Sequence, residues 1–138
     1  EMKGIQGWFL KRLGCFSIDQ LNPSLSALRY ALKLIVTKRQ LVVFPEGKIN
    51  KYGKKIALKE GLFRLAKLAT KKERIITIVP IGIAYSEVSP KFRSKVSLCF
   101  GDPLIINKGQ SLSINEFNEV LNEKMISAEK EALKILGR

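Results

Sequence analysis

The chain has 138 residues, enough for one domain with a packed core, and 46% of them are apolar, which excludes an intrinsically disordered polymer. The net charge of +13 is lopsided, because residues 1–75 carry 17 of the 25 Lys and Arg residues but only 5 of the 12 acidic ones. A basic half indicates an anionic partner, such as nucleic acid, a phosphorylated substrate or an acidic lipid surface, or simply a solvated basic surface.

The longest strongly apolar run, Ile75–Tyr85, contains a proline and has 11 residues, which is too short to span a bilayer. Cys15 and Cys99 lie far apart and lack metal-ligand spacing, so we expect both to be reduced core residues of a protein that faces the cytosol. We predict no metal and no cofactor. The first residue is Glu1 and not Met, and we expect the chain to be cut from something longer.

The first half of the chain is predicted to alternate between helices and strands. The predicted elements are the end of a short helix at 7–13, a short strand at 15–18, a helix that opens at Asn22-Pro23 and a buried strand at Leu41–Phe44. The strand is short and wholly apolar, and it stops at Pro45, which has no N–H to donate to a ladder.

The second half continues the alternation. The predicted elements are a helix at 57–70, an apolar strand at Ile75–Tyr85, a strand at Val96–Phe100 and a last helix that begins at Ser113 and is ended by Gly137. Glu116 stands three residues after Ser113, which is the spacing of a capping box. Helices between apolar strands imply crossover connections, so we predict an α/β fold with a mostly parallel or mixed central sheet and helices on both faces.

The turn Phe44-Pro45-Glu46-Gly47 is the sharpest local feature. It follows a predicted buried strand, and open α/β sheets keep their sites at the carboxyl ends of strands. Pro45 stiffens the turn, Gly47 permits close backbone approach, and Glu46 places a carboxylate at the sheet edge. Taken alone, the same tetrapeptide is also compatible with an ordinary connection between a strand and a loop.

Two further blocks accompany this turn, one upstream at Gly14–Gln20 and one downstream at Val79–Ile83. In this order and at these separations, the three resemble the second, third and fourth motif blocks of the glycerolipid acyltransferase family, and Gly101-Asp102-Pro103 is similar to a later turn of that family. The resemblance covers essentially the whole chain. It implies substrate-binding roles for Gly14, Ser17, Ile18, Asp19, Gln20, Phe44, Pro45, Glu46, Gly47, Lys48, Val79 and Pro80.

The resemblance also implies the reaction. A fatty acyl group would pass from acyl-CoA or acyl carrier protein to a lysophospholipid hydroxyl, 1-acyl-sn-glycerol-3-phosphate being the favoured acceptor, without a metal and at the cytoplasmic side of a membrane. The family's first block, a His followed after four residues by an Asp, would supply the general base and the carboxylate that orients it. The chain has no histidine, so we expect that block upstream of Glu1 and identify residues 1–138 as the carboxy-terminal portion of one glycerol-3-phosphate acyltransferase-like domain.

Two departures from the family pattern concern the acceptor. Gln20 stands where the second block often has Arg, and Lys48-Ile49-Asn50 replaces the family's Thr-Arg-Ser. A bidentate Arg grip on phosphate is not reproduced by Lys, which acts as a point charge. The lysines at 48, 51, 54 and 55 could supply that charge, or they could form a solvated loop.

Trp8 and Phe9 beside Lys11 and Arg12 suit an anionic membrane surface, although the same pattern also fits a helix end that faces the core. Two other functions stay open. A basic nucleic-acid-binding module is disfavoured because the lysines are not interleaved with aromatics and no nucleic-acid motif is present. A catalytically inactive, lipid-binding homologue would also lack the histidine.

We predict that the 138-residue chain by itself catalyses no acyl transfer, because it has no histidine to deprotonate the acceptor hydroxyl. The purified chain is incubated with acyl-CoA and lysophosphatidate, and the acylated product is counted per protein molecule. Multiple turnovers would contradict the prediction.

We also expect the chain to fold poorly or to expose apolar surface, since the segment expected upstream would cover the sheet.

Overall fold

Three helices precede four strands and a fourth helix in the structure, a computed structural model that describes residues 4–16, 25–47 and 57–138. The elements are α1 (Gly4–Arg12), α2 (Leu25–Val36), α3 (Glu60–Lys72), β1 (Ile75–Ile78), β2 (Ile81–Tyr85), β3 (Val96–Phe100), β4 (Leu104–Asn107) and α4 (Ile114–Ile135). Most follow the sequence prediction within a few residues, but β4 was not predicted. The strand predicted at 15–18 and the helix opening at Asn22-Pro23 lie wholly or partly outside the described residues.

The four strands form one long antiparallel hairpin that is broken in the middle. β1 pairs with β4, and β2 pairs with β3. Between the two pairs, residues 79–80 lie opposite residues 101–103, which is the mismatch of a β-bulge. The break falls at Pro80, which cannot donate to the ladder, while its carbonyl accepts a hydrogen bond from the N–H of Gly101 at 2.9 Å. The predicted single strand Ile75–Tyr85 is therefore two strands, β1 and β2, which are separated at Val79 and Pro80.

A mostly parallel sheet is not confirmed, because each pairing among the described strands is antiparallel. The strands follow one another in sequence without an intervening helix, and antiparallel neighbours need only a turn or loop between them. A parallel sheet would need a strand before α3 that pairs with a strand after it.

The prediction of a buried strand at Leu41–Phe44 is wrong for this structure. The segment has no strand assignment, and Val42 and Phe44 are 72% and 74% exposed. Its composition suits a buried strand, but a strand also needs a neighbouring edge for its N–H and C=O groups. Within the described ranges no strand pairs with it.

One face of the hairpin carries the packing. The side chains at even positions 76–84 point inward in strict alternation with exposed odd positions, as the two-residue period of a strand requires. Next to β4, Phe117 of α4 packs against Ala66 of α3, Ile106 of β4 and Leu121, and its ring lies 5.3 Å from that of Phe63. α3 and α4 thus share one core on this inner face.

Small residues let α4 lie directly on the β2–β3 part of the hairpin. Gly82 and Ala84 of β2 are buried, as are Ala128 and Ala132 of α4. A Cβ at Gly82 would stand 2.2 Å from the carbonyl carbon of Ala128, and one at Gly101 would stand 3.1 Å from the Ala128 Cβ. The glycine of the fourth sequence block therefore serves helix-to-strand packing.

Hydrogen bonds between Ser113 and Glu116 fix the start of α4. The Ser113 hydroxyl accepts from the backbone N–H of Glu116 at 3.2 Å, and the Glu116 carboxylate accepts in return from the hydroxyl and backbone N–H of Ser113 at 2.7 and 2.9 Å. These bonds complete the predicted capping box. They stabilise the carboxylate and so lower the pKa of Glu116, with the side-chain hydrogen bond as the larger cause.

The opposite, outer face of the hairpin has no helix over it in the described chain, so the prediction of helices on both faces is not confirmed. Its side chains are apolar and exposed: Ile75, Val79, Ile81, Ile83, Tyr85, Val96, Leu98, Phe100 and Ile105. The pairs Ile81–Phe100, Ile83–Leu98 and Tyr85–Val96 stand directly opposite each other, which makes the face continuous. The expectation of exposed apolar surface is confirmed.

Two further sequence expectations can be compared with the structure. Both cysteines are free, but Cys15 is exposed and Cys99 only half-buried, so their assignment to the core is wrong for Cys15. None of the helices in the described ranges is long and apolar enough to cross a bilayer.

We predict that Gly82→Ala destabilises the protein by roughly 1–3 kcal/mol or more, because the added methyl group meets rigid helix backbone and not a flexible side chain. Gly61→Ala is the matched control, since a Cβ at Gly61 in α3 meets nothing within 4 Å and alanine is the better helix former. Urea unfolding followed by circular dichroism measures both. Equal midpoints for Gly82→Ala and wild type would contradict the close packing of α4 on β2.

We predict that Ser113→Ala lowers the free energy of unfolding by about 1 kcal/mol, because the first turn of α4 loses its cap.

The capping box also makes the stability of the fold depend on pH. Since the pKa of Glu116 is lower in the folded chain, its carboxylate stabilises the fold above about pH 4.5, and this contribution is lost as the pH falls through the lowered pKa. Thermal melts across that range should show a smaller acid-induced loss in Ser113→Ala than in wild type, and parallel curves would contradict this assignment.

Candidate functional site

The turn at residues 44–47 is held in place by the start of α3. The Gly47 N–H donates to the Phe44 carbonyl at 3.1 Å, and the Pro45 carbonyl accepts from the N–H of Lys59, the N-cap residue of α3, at 2.8 Å. Gly47 has φ +66°, a conformation that glycine adopts without steric cost. Pro45, Glu46 and Gly47 are half-buried, so the Glu46 carboxylate is carried on a fixed turn and not on a loose loop.

Gly14, the first residue of the second block, has a helix-ending geometry. It has φ +81°, its N–H donates to the Lys11 carbonyl at 3.0 Å, and the Cys15 N–H donates to the Leu10 carbonyl at 2.9 Å. This pair of bonds is a Schellman motif at the end of α1. A side chain at Gly14 would meet nothing within 4 Å, so the positive φ explains the glycine without invoking a ligand.

The chain after Gly14 approaches α2. The ring of Phe16 meets that of Tyr30 edge-to-face, with centroids 5.0 Å apart and planes at 84°. Ser17, Ile18, Asp19, Gln20 and Lys48 lie outside the described residues. Their assigned roles in substrate binding stay predictions.

Val79 and Pro80 lie at the break in the hairpin, opposite the bulged residues 101–103. Pro80 is buried and Val79 exposed on the outer face, and the Pro80 carbonyl is used by Gly101. The described parts of the three blocks lie at different places along the fold: Gly14 after α1, residues 44–47 before α3, and residues 79–80 between β1 and β2. They share a structural character, since each marks a helix end, a turn or a break in a strand.

A groove between α2 and α3 was not predicted as a site. Apolar and cationic side chains line it: Leu28, Phe63, Arg64, Lys67, Leu68 and Lys71. The Arg64 guanidinium is paired with Glu60 at 2.7 Å, and the Lys67 ammonium lies 5.7 Å from the Phe63 ring centre. The signal in the sequence was the helical spacing of basic residues at 64, 67 and 71, which can equally mark a solvated helix face.

An ion pair joins the far ends of the same two helices. The chain leaves α2 through Lys38, whose φ of +61° is unusual for a residue with a side chain, and the ammonium of Lys38 contacts the carboxylate of Glu73 at the C-cap of α3. The N–H groups of Lys38 and Arg39 donate to the carbonyls of Ile35 and Leu34. The segment that leads to the 44–47 turn is thus anchored at both ends.

The exposed aromatic pair near the amino terminus agrees with the surface interpretation. Trp8 and Phe9 are 59% and 57% exposed, so they do not face a core in the described chain. The Arg12 guanidinium lies over the Trp8 ring at 4.7 Å from its centre. The end of α1 therefore presents aromatic and cationic groups together.

Comparison with known proteins connects these features to a family. A profile of the acyltransferase family matches residues 1–84, which include the second, third and fourth motif blocks. A curated relative, the 1-acyl-sn-glycerol-3-phosphate acyltransferase of Streptococcus pneumoniae (strain ATCC BAA-255 / R6), is 29% identical over 119 residues, or 86% of this chain. The chain spans 42% of that relative's length. No solved structure matches the chain. Since the profile covers more than half of the residues, the chain belongs to the acyltransferase family.

Proposed function

We propose that the protein transfers a fatty acyl group from a thioester, on coenzyme A or acyl carrier protein, to the hydroxyl of a lysophospholipid, with 1-acyl-sn-glycerol-3-phosphate as the acceptor. The observation that carries the proposal is the family match over residues 1–84, which takes in all three ordered motif blocks. The relative from Streptococcus pneumoniae, whose name states this acceptor, supports the choice of substrate.

The proposed reaction exchanges a thioester for an ester. The acceptor hydroxyl oxygen attacks the thioester carbonyl carbon as its proton passes to a general base, the C–O bond forms and the C–S bond breaks, and the leaving thiolate takes that proton from the base to depart as the thiol. The family resemblance assigns the base to a histidine. Because these 138 residues contain none, we propose that the base is supplied from outside them, in a longer polypeptide.

The chain's own residues would serve the acceptor. Glu46 on its anchored turn would shape the site, and Lys48, which directly follows Gly47, would supply a cation to the phosphate in place of the family's arginine. A lysophospholipid resides in a bilayer, so we also propose peripheral association with an anionic membrane surface on its cytoplasmic side. The exposed Trp8 and Phe9 beside Lys11 and Arg12 support that association.

The absence of histidine also favours a second candidate, a catalytically inactive homologue that binds lipid. One experiment separates the two: the intact encoded polypeptide is assayed with acyl-CoA and with acyl carrier protein thioesters, against lysophosphatidate and against an uncharged monoacylglycerol. Transfer to lysophosphatidate supports the enzyme. If the protein binds lysophosphatidate but transfers no acyl group to it from either donor, the result would instead support the inactive homologue.

We predict that Lys48→Ala in the intact enzyme raises KM for the phosphorylated acceptor and leaves KM for the acyl donor unchanged. Losing one charged hydrogen bond to phosphate costs roughly 1.5–3 kcal/mol, or about 10- to 150-fold in binding. Lys130→Ala is the control, since Lys130 lies exposed on α4 and its loss should change neither constant. Steady-state kinetics with each substrate varied in turn make the test, and a change below about twofold would assign Lys48 to the solvated surface.

A further inference from the structure

The loop at the end of the hairpin, residues 86–95, which we call the hairpin tip, exposes two apolar side chains more fully than any strand residue. Phe92 is 94% and Val88 84% exposed. Exposing a large aromatic ring to water forfeits its hydrophobic burial, and soluble loops are usually built from polar residues. Phe92 therefore stands out among the described loop residues as a side chain without a packing role.

Hydrogen bonds hold Phe92 at the apex of a closed turn. The Ser94 N–H donates to the Lys91 carbonyl at 3.1 Å, and the Ser94 hydroxyl accepts from the Lys91 N–H at 2.8 Å. Arg93, the third residue of this turn, has φ +71°, as a type II turn requires, although it is not a glycine. At the base of the loop, the Ser86 N–H donates to the Lys95 carbonyl at 2.9 Å. The protruding ring belongs to an ordered turn.

Cations surround the apolar apex. Lys91, Arg93 and Lys95 are all exposed, and Glu87 is the single acidic residue of the tip. Arg138 adds a fourth cation at the base of the tip, where its guanidinium donates to the Tyr85 carbonyl at 2.6 Å. The Arg93 guanidinium lies 5.9 Å from the centre of the Phe92 ring, so charge and apolar surface are directly adjacent.

We propose that the hairpin tip is a contact with an anionic membrane surface, with Phe92 and Val88 entering the interfacial region and the three cations remaining among the headgroups. An apolar apex ringed by basic side chains has the polarity profile of the boundary between headgroups and acyl chains. The exposed pair Tyr85–Val96 continues the apolar surface below the tip. The inference rests on the peripheral membrane association proposed above and names a place for it that is separate from α1.

The test measures partition of the intact protein between buffer and sedimented vesicles. The vesicles are phosphatidylcholine alone or phosphatidylcholine with about one third phosphatidylglycerol, because each cation near an anionic surface contributes about fivefold to partition. The double variant Lys91→Gln/Arg93→Gln should lower partition to the anionic vesicles roughly 10- to 30-fold. Phe92→Ser should lower it about tenfold. These side chains are exposed at a loop, so the fold should tolerate both changes.

Matched controls separate the tip from general charge and stickiness. Lys71→Gln/Lys72→Gln removes two exposed cations at the end of α3, and Ile105→Thr removes an exposed apolar group at the far end of the outer face. Both should change partition less than twofold. A direct readout is a tryptophan at the apex, Phe92→Trp in a Trp8→Phe background, whose fluorescence should be quenched by brominated acyl chains in the anionic vesicles.

The outcomes are distinct. Tip-dependent partition with quenching supports the inference. Binding to anionic vesicles that is unchanged by the tip variants, without quenching, overturns the inference and leaves the membrane association standing, whereas no binding to either vesicle overturns both. Concentration-dependent dimerisation in sedimentation velocity that is abolished by Phe92→Ser would overturn it too, because the tip would then be an interface between copies. None of these results depends on acyl transfer, which the assay of the intact polypeptide decides separately.

Discussion

The described fold depends on the close approach of α4 to β2 at Gly82. Hydrogen bonds within the hairpin satisfy only the inner edges of two strands, and a two-stranded ribbon is marginal in water by itself. The helix stabilises it by lying directly against the strand backbone, which only the absence of a Cβ at Gly82 and the small alanines of α4 allow. The same helix brings Phe117 to the inner face, where the core with α3 and β4 forms.

The one-sidedness of this arrangement has a physical consequence. Strict alternation along β1 and β2 sends every second side chain away from α4, and nearly all of these side chains are apolar. Soluble monomers seldom expose a continuous apolar face of this kind, and the described residues leave this face uncovered. It continues into the ordered tip, where the exposed cations Lys91, Arg93 and Lys95 join it, so the composition changes along one hairpin from apolar to mixed apolar and cationic.

The family motifs have a structural meaning that complements their proposed chemistry. Gly14 ends a helix, Gly47 completes a turn tied to α3, and Gly82 admits α4. Each of these glycines is explained by backbone geometry or by close packing. The proposed roles in substrate binding therefore rest on the side chains between these glycines, such as Glu46, and on the residues that follow each turn.

The sequence by itself determined the family and most of the local elements. Helical spacing identified α2, α3 and α4, and the Ser113–Glu116 spacing predicted the capping box, because these features depend on neighbours within a few residues. Pairing partners depend on residues distant in the chain, so only the tertiary structure decided that the strands are antiparallel, that Leu41–Phe44 stays unpaired within the described ranges and that Gly82 receives a helix. The site was only partly predictable for the same reason. The motif blocks identify candidate residues. Whether one of their glycines makes room for a ligand or for a helix depends on which atoms lie within a few ångströms of its Cα. The composition of a strand likewise does not determine which of its two faces is covered.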